Sequence, residues 1–135
     1  RIDFMIILAF PGMGKTPLAR KFGKFVDLDF GLFREALGVS KVDEEKLLKP
    51  FARLAKAYVD NRFVVLTNEP KLMRYLHVDV MYLPKNPSFS AKKLKVTEET
   101  VVDWIAGWDS LAKQNKVRVT YLKCGLDHYL GRGNE

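Results

Sequence analysis

Six consecutive apolar residues, Phe4-Met5-Ile6-Ile7-Leu8-Ala9, run over the length of one strand without a polar interruption. That is the pattern of a parallel strand covered by helices on both faces. Arg1-Ile2-Asp3-Phe4 reads as the opening of the same strand. A glycine-rich turn follows, then a helix over 16–22, where Pro17 is tolerated because its missing N–H falls in the first turn. Phe25-Val26-Asp27-Leu28-Asp29 alternates as a second strand, with Asp27 and Asp29 on one side of its end. A short helix over 31–37 stops at Gly38. Between 43 and 61, Leu47, Leu48, Phe51, Leu54, Ala55, Tyr58 and Val59 keep helical spacing behind the acidic start Asp43-Glu44-Glu45. Pro50 interrupts this pattern, which predicts either a kink or two helices with Pro50 near the start of the second.

Phe63-Val64-Val65-Leu66-Thr67 is a third buried strand, ending in the polar Asn68-Glu69-Pro70. A brief helix over 71–77 and a fourth strand, Val78-Asp79-Val80-Met81-Tyr82-Leu83, come next. Pro87, Ser88 and Ser90, mixed with Lys85, Lys92, Lys93 and Lys95, read as a mobile basic loop over about 84–97. Thr97 then caps a helix that runs to about 114, with Val101, Trp104, Ile105, Trp108, Leu111 and Ala112 as its apolar stripe. Trp104 and Trp108 are read as core on that spacing. A fifth strand over 117–122 and a short helix over 125–130 complete the chain. Strands that alternate with helices in this way predict an α/β fold: one domain over 1–135, with a five-stranded parallel sheet and helices on both faces.

With 135 residues, 47% of them hydrophobic, the chain can bury one core and is too short for two ordinary domains. No apolar run approaches the roughly 18 residues that span a bilayer, so no membrane association and no signal peptide are expected. Cys124 is the only cysteine and cannot close an internal disulfide, which fits a reducing, cytoplasmic setting and a small buried apolar side chain. The formal charge of +7 favours polyanionic partners, nucleotides as much as nucleic acids. His77 and His128 lack companions at metal-ligand spacing and are read as structural or exposed.

The sharpest chemistry lies in the turn after the first strand, Ala9-Phe10-Pro11-Gly12-Met13-Gly14-Lys15-Thr16. A small residue, four free positions and then Gly-Lys-Thr between a strand and a helix is the pattern of a triphosphate cradle. Gly12 and Gly14 allow backbone N–H groups to turn inward, Lys15 reaches β and γ oxygens, and Thr16 offers a hydroxyl to Mg²⁺. Ala9 fills the first small position, where glycine is commoner.

These residues resemble the P-loop nucleoside and nucleotide kinase group, in the branch that includes adenylate kinase and shikimate kinase. They also resemble small stand-alone kinase-like proteins of phage genomes. The resemblance follows the element order of nearly the whole chain and is anchored on residues 11–16, the Asp27-Leu28-Asp29 strand end, Arg34 and the Lys92-Lys93-Lys95 segment in the lid position. It implies a three-layer P-loop NTPase fold with strand order 2-3-1-4-5 and a cleft at the carboxyl ends of the strands. It further implies ATP or GTP bound by Pro11, Gly12, Met13, Gly14, Lys15, Thr16 and Pro17, and Mg²⁺ held by Thr16 and Asp27. Lys15, Asp29 and Arg34 take the catalytic roles, with Asp29 on the phosphoryl acceptor and Arg34 clamping the acceptor's phosphate. Two features depart from the group: Thr67-Asn68-Glu69-Pro70 lacks its usual third-strand patterns, and the lid segment carries lysines where the group supplies arginines.

Three functions follow as expectations. The first is ATP-dependent phosphoryl transfer to a small acceptor, a nucleoside or nucleoside monophosphate, by a monomer or homodimer. The second is a nucleotide-binding module with weak turnover that serves as a sensor or partner-binding protein, as the departures suggest. The third is a polynucleotide-end kinase or DNA-associated ATPase, suggested by the charge, with binding that weakens steeply as salt rises.

Overall fold

Strand β1 (Ile6–Ala9) is buried at all four positions and pairs in parallel on both sides, with β3 (Val64–Thr67) and with β4 (Val80–Pro84). Its position at the centre of the sheet explains why its sequence has no polar alternation. Two shorter-faced neighbours complete the sheet: β2 (Phe25–Leu28) lies outside β3 and β5 (Val119–Leu122) outside β4. The order is β2-β3-β1-β4-β5 and all pairings are parallel, as expected. Both edge strands are partly exposed, in line with their mixed sequences. In this computed structural model residues 5–123 and 125–130 are described, and the expectations for Arg1-Ile2-Asp3-Phe4 and for Cys124 lie outside them.

The connections are α1 (Lys15–Lys21), α2 (Phe30–Ala36), α3 (Leu48–Asp60), α4 (Pro87–Leu94), α5 (Glu98–Gln114) and α6 (Leu126–Tyr129), with 3-10 segments at Lys41–Leu47 and Pro70–Arg74. The chain moves from β1 outward to β2, then back through β3 toward β4 and β5. Right-handed crossovers therefore put α1 on one face and α3 and α5 on the other. The contacts agree: α1 packs with α6, while the Pro70–Arg74 segment touches both α3 and α5.

Pro50 settles as the third residue of α3, after a separate 3-10 segment, so the two-helix alternative holds. Its missing N–H falls in the first turn, where no intrahelical acceptor exists. Phe30, Leu47, Leu48, Phe51, Ala52 and Leu72 form a second small core. Phe51 meets Phe30 edge-on at 5.1 Å and Phe33 at 5.0 Å, which fixes where α2 begins.

Two expectations are corrected. Most of the segment over 84–97 is a packed helix, α4, and not a loop: Asn86 caps it by accepting from Phe89 N at 3.3 Å, Pro87 opens it, and Ser90 and Ala91 are buried. Asn-Pro is a helix-start signal, outweighed in the sequence by the prolines, serines and lysines around it. Trp104 is 45% exposed, whereas Trp108 packs edge-on against Phe10 at 5.4 Å. Val101, Ile105, Trp108 and Ala112 centre the buried stripe of α5, and Trp104 lies roughly 60° to one side of it at 100° per residue. Thr97 caps α5 as expected, accepting from Thr100 N at 3.1 Å. No described helix is long and apolar enough to cross a membrane.

Candidate functional site

The turn between β1 and α1 is held at several points. Phe10 N donates to Tyr82 O at 3.1 Å, and Leu126 N donates to Met13 O at 2.7 Å, so β4 and α6 clamp the loop from either side. Gly12 and Gly14 adopt φ of 82° and 90°, a left-handed conformation that L side chains rarely enter. Gly12 is also closely approached: a Cβ there would stand 3.4 Å from Leu94 Cδ2 and 3.6 Å from Lys93 Cδ, both on α4. No side chain caps α1 at Gly14, so the first-turn N–H groups lack the usual side-chain acceptor.

Lys15 folds back over this loop, and its Nζ donates to Ala9 O at 3.2 Å and Phe10 O at 3.3 Å. Burial pushes its ammonium pKa below the ordinary lysine range; Asp27 and Asp29 oppose that shift, and Lys93 adds to it. Next to it, Thr16 Oγ1 donates to Asp27 Oδ2 at 2.6 Å. The other oxygen, Asp27 Oδ1, is buried with no hydrogen-bond partner, and so is Thr67 Oγ1 at the end of β3. A buried carboxylate oxygen without a donor is costly, and it marks a place where a ligand's positive charge or water would be stabilised.

Asp29 lies just past the end of β2, as the cap of α2: its Oδ1 accepts from Leu32 N at 3.0 Å. Asn68 reaches across from β3, and its Oδ1 accepts from Phe30 N at 3.1 Å. Two N–H groups at the start of α2 are thereby satisfied by residues from two neighbouring strands.

These groups line a cavity of about 390 Å³ bounded by Pro11, Gly12, Gly14, Lys15, Thr16, Pro17, Asp27, Asp29, Asn68 and Lys93. A second cavity of about 390 Å³ adjoins it and shares Gly12, Gly14, Pro17 and Lys93. Met13, Phe89 and Leu122 contribute apolar side chains to the wall of the second cavity. Every residue of 11–17 therefore faces one cavity or both, and Asp27 and Asp29 join them.

Arg34 does not. Its guanidinium donates to Val39 O at 3.0 Å and lies 3.7 Å from Glu44, on the far end of α2, and it lines neither cavity. The expectation that Arg34 clamps an acceptor phosphate is corrected accordingly. An arginine two turns of sequence beyond a strand end can rotate away when a nearer acid captures it, and Glu44 is that acid. Of Lys92, Lys93 and Lys95, only Lys93 reaches the cavities. Glu69, just past the end of β3, caps the Pro70–Arg74 segment by accepting from Lys71 N at 2.9 Å. Phe89 carries no signal in the sequence, because it sits in α4, where the surrounding prolines, serines and lysines favour a loop. Among the described residues no group of three or more His, Cys, Asp or Glu gathers as a metal centre; His77 pairs with Asp79 at 3.4 Å and His128 is exposed.

No protein-family model matches the chain, and no curated protein matches it in sequence. Residue chemistry and the geometry of the two cavities carry the functional reading.

Proposed function

We propose that the protein is a P-loop phosphotransferase that binds ATP or GTP and transfers the terminal phosphoryl group to a small acceptor. The observation that carries this reading is the convergence of Lys15, the Thr16–Asp27 pair and Asp29 on one cavity beside the left-handed glycine loop. The two joined cavities leave room for a nucleotide: Met13, Phe89 and Leu122 of one suit base and ribose, and Lys15, Thr16, Asp27 and Asp29 of the other suit phosphates and acceptor.

In this mechanism the loop and the uncapped start of α1 offer N–H groups to phosphate oxygens. Lys15 exchanges its two carbonyl partners for β and γ oxygens, and anionic charge then compensates the burial of its ammonium. Thr16 and Asp27 fit Mg²⁺, since a hydroxyl and a carboxylate with one unpartnered oxygen are hard oxygen donors already set side by side. The ion, when bound, neutralises charge on the transferring group. Asp29 orients the acceptor hydroxyl and takes its proton, and Lys93 supplies a second cation above the loop.

A direct test incubates the protein with γ-labelled ATP, Mg²⁺ and a panel of nucleosides, monophosphates and sugars. Labelled product that disappears in Lys15→Ala and falls at least about 100-fold in Asp29→Asn is the expected result. Tight ATP binding with no transfer to any acceptor would instead support a second reading, a nucleotide-binding module that works through a protein partner. The specific observation in its favour is the sequestered Arg34, which leaves both cavities without an arginine among the described residues.

A further inference from the structure

We infer that the acceptor end of the cleft is built for an uncharged hydroxyl compound, such as a nucleoside, sugar or polyol, and rejects phosphate esters; this rests on the phosphotransferase reading above. The cavity that holds Lys15 carries both signs of charge. Its cations sit on the loop side: Lys15 Nζ lies on the Ala9 and Phe10 carbonyls, and the Lys93 stem rests near Gly12. Asp27, Asp29 and Asn68 line the same cavity, and Asp27 and Asp29 lie near enough to Lys15 to favour its charge.

Three cations on neighbouring elements are paired outside the cavity. Arg34 of α2 is held by Val39 O and Glu44, while Lys71 and Arg74 lie 3.4 Å and 3.5 Å from Glu45. With Asp27 given to Mg²⁺, an acceptor bearing a phosphate dianion would meet the Asp29 carboxylate with no guanidinium, among the described residues, to hold it. Such a ligand would be repelled at the very place where its hydroxyl must react.

A neutral hydroxyl fits the same groups. Asn68 Oδ1 accepts from Phe30 N, an assignment only the amide oxygen can fill, so the Asn68 amino group is left as a donor at the cavity wall. Asp29 Oδ1 accepts from Leu32 N, and Asp29 Oδ2 has no protein partner among the described residues. The pair offers one donor and one acceptor, the complement of a hydroxyl that gives its proton to Asp29 and takes a hydrogen bond from Asn68. In the transfer step the acceptor oxygen forms a bond to the γ-phosphorus, and the bond from that phosphorus to the β–γ bridging oxygen breaks. The electron pair leaves with the nucleoside diphosphate, and the hydroxyl proton passes to Asp29 and then to water.

The experiment has two arms on the whole chain. Calorimetry with ATP and Mg²⁺ on the wild type and Lys15→Ala comes first, and absence of ATP binding overturns the phosphotransferase reading itself. The second arm measures kcat/KM for nucleosides against their own monophosphates, sugars against sugar phosphates, and a 5′-hydroxyl oligonucleotide. The expected result is a preference of about 100-fold or more for each neutral member over its phosphate ester. Asn68→Asp should lower kcat/KM for the best neutral acceptor by about 10-fold or more while ATP affinity is kept. A preference for monophosphates or for the oligonucleotide overturns the inference and leaves the phosphotransferase reading standing. ATP binding with no transfer to any member overturns both the inference and the transfer step, leaving nucleotide binding alone.

Discussion

Lys15 is a buried cation whose hydrogen bonds among the described residues go to two backbone carbonyls, and its burial disfavours the charged form it must carry. Lys15→Met removes that burden along with the charge. The expected outcome is a thermal midpoint within a few degrees of the wild type and a loss of ATP affinity of about 100-fold, read by thermal shift and calorimetry together. Gly12→Ala acts oppositely: it forces an L side chain into φ of 82° and against Leu94 at 3.4 Å, and should destabilise by about 1–2 kcal/mol in urea denaturation. Glu69 shows a pH effect. Burial raises its carboxyl pKa above the ordinary 4.5, with Lys71 opposing, so the folded state holds the proton more tightly than the unfolded chain. That contribution is present at pH below the unfolded value and is lost as pH rises through the folded one. Glu69→Gln keeps an amide oxygen for Lys71 N and cannot ionise, so it should gain stability relative to the wild type between about pH 4 and pH 7, measured by denaturation at both.

Among the elements, α2 shows how packing serves the site. Phe30 packs edge-on and Phe33 at a tilt against Phe51, and this small core sets the helix start that Asp29 and Asn68 both cap. Phe51→Ala should cost about 3–5 kcal/mol, and phosphoryl transfer should fall more than ATP binding because Asp29 loosens while the glycine loop stays clamped by β4 and α6. The strands, α1 and the cap of α5 were legible because local pattern decides them: unbroken apolar runs, a Gly-Lys-Thr turn and a Thr97-Glu98-Glu99 start. Where local signals competed, the sequence was ambiguous. Asn86-Pro87 was masked by surrounding loop-forming residues, although burial of Ser90 and Ala91 against α5 makes the segment helical. The fate of Arg34 was not legible at all, since Glu44 lies ten positions away and nothing local announces the pairing. The cavity residues of 11–17, Asp27 and Asp29 were legible because strand ends and the turn between them fix their positions in a parallel sheet.

At the scale of the whole molecule, a sheet of order β2-β3-β1-β4-β5 places the ends of β1, β2 and β3 around one opening, and that topology brings residues 15, 27, 29 and 68 together. A ligand that bridges loop, strands and α4 binds the folded state alone, so it must stabilise the whole fold by mass action. Calorimetric titration of ATP with Mg²⁺ into the wild type and into Lys15→Ala, paired with thermal unfolding of both, tests the triphosphate cradle most directly. Saturable one-to-one binding by the wild type is predicted, with an unfolding midpoint that climbs as ATP is added and both effects lost in Lys15→Ala. Absence of binding by the wild type, or equal binding by Lys15→Ala, would contradict it.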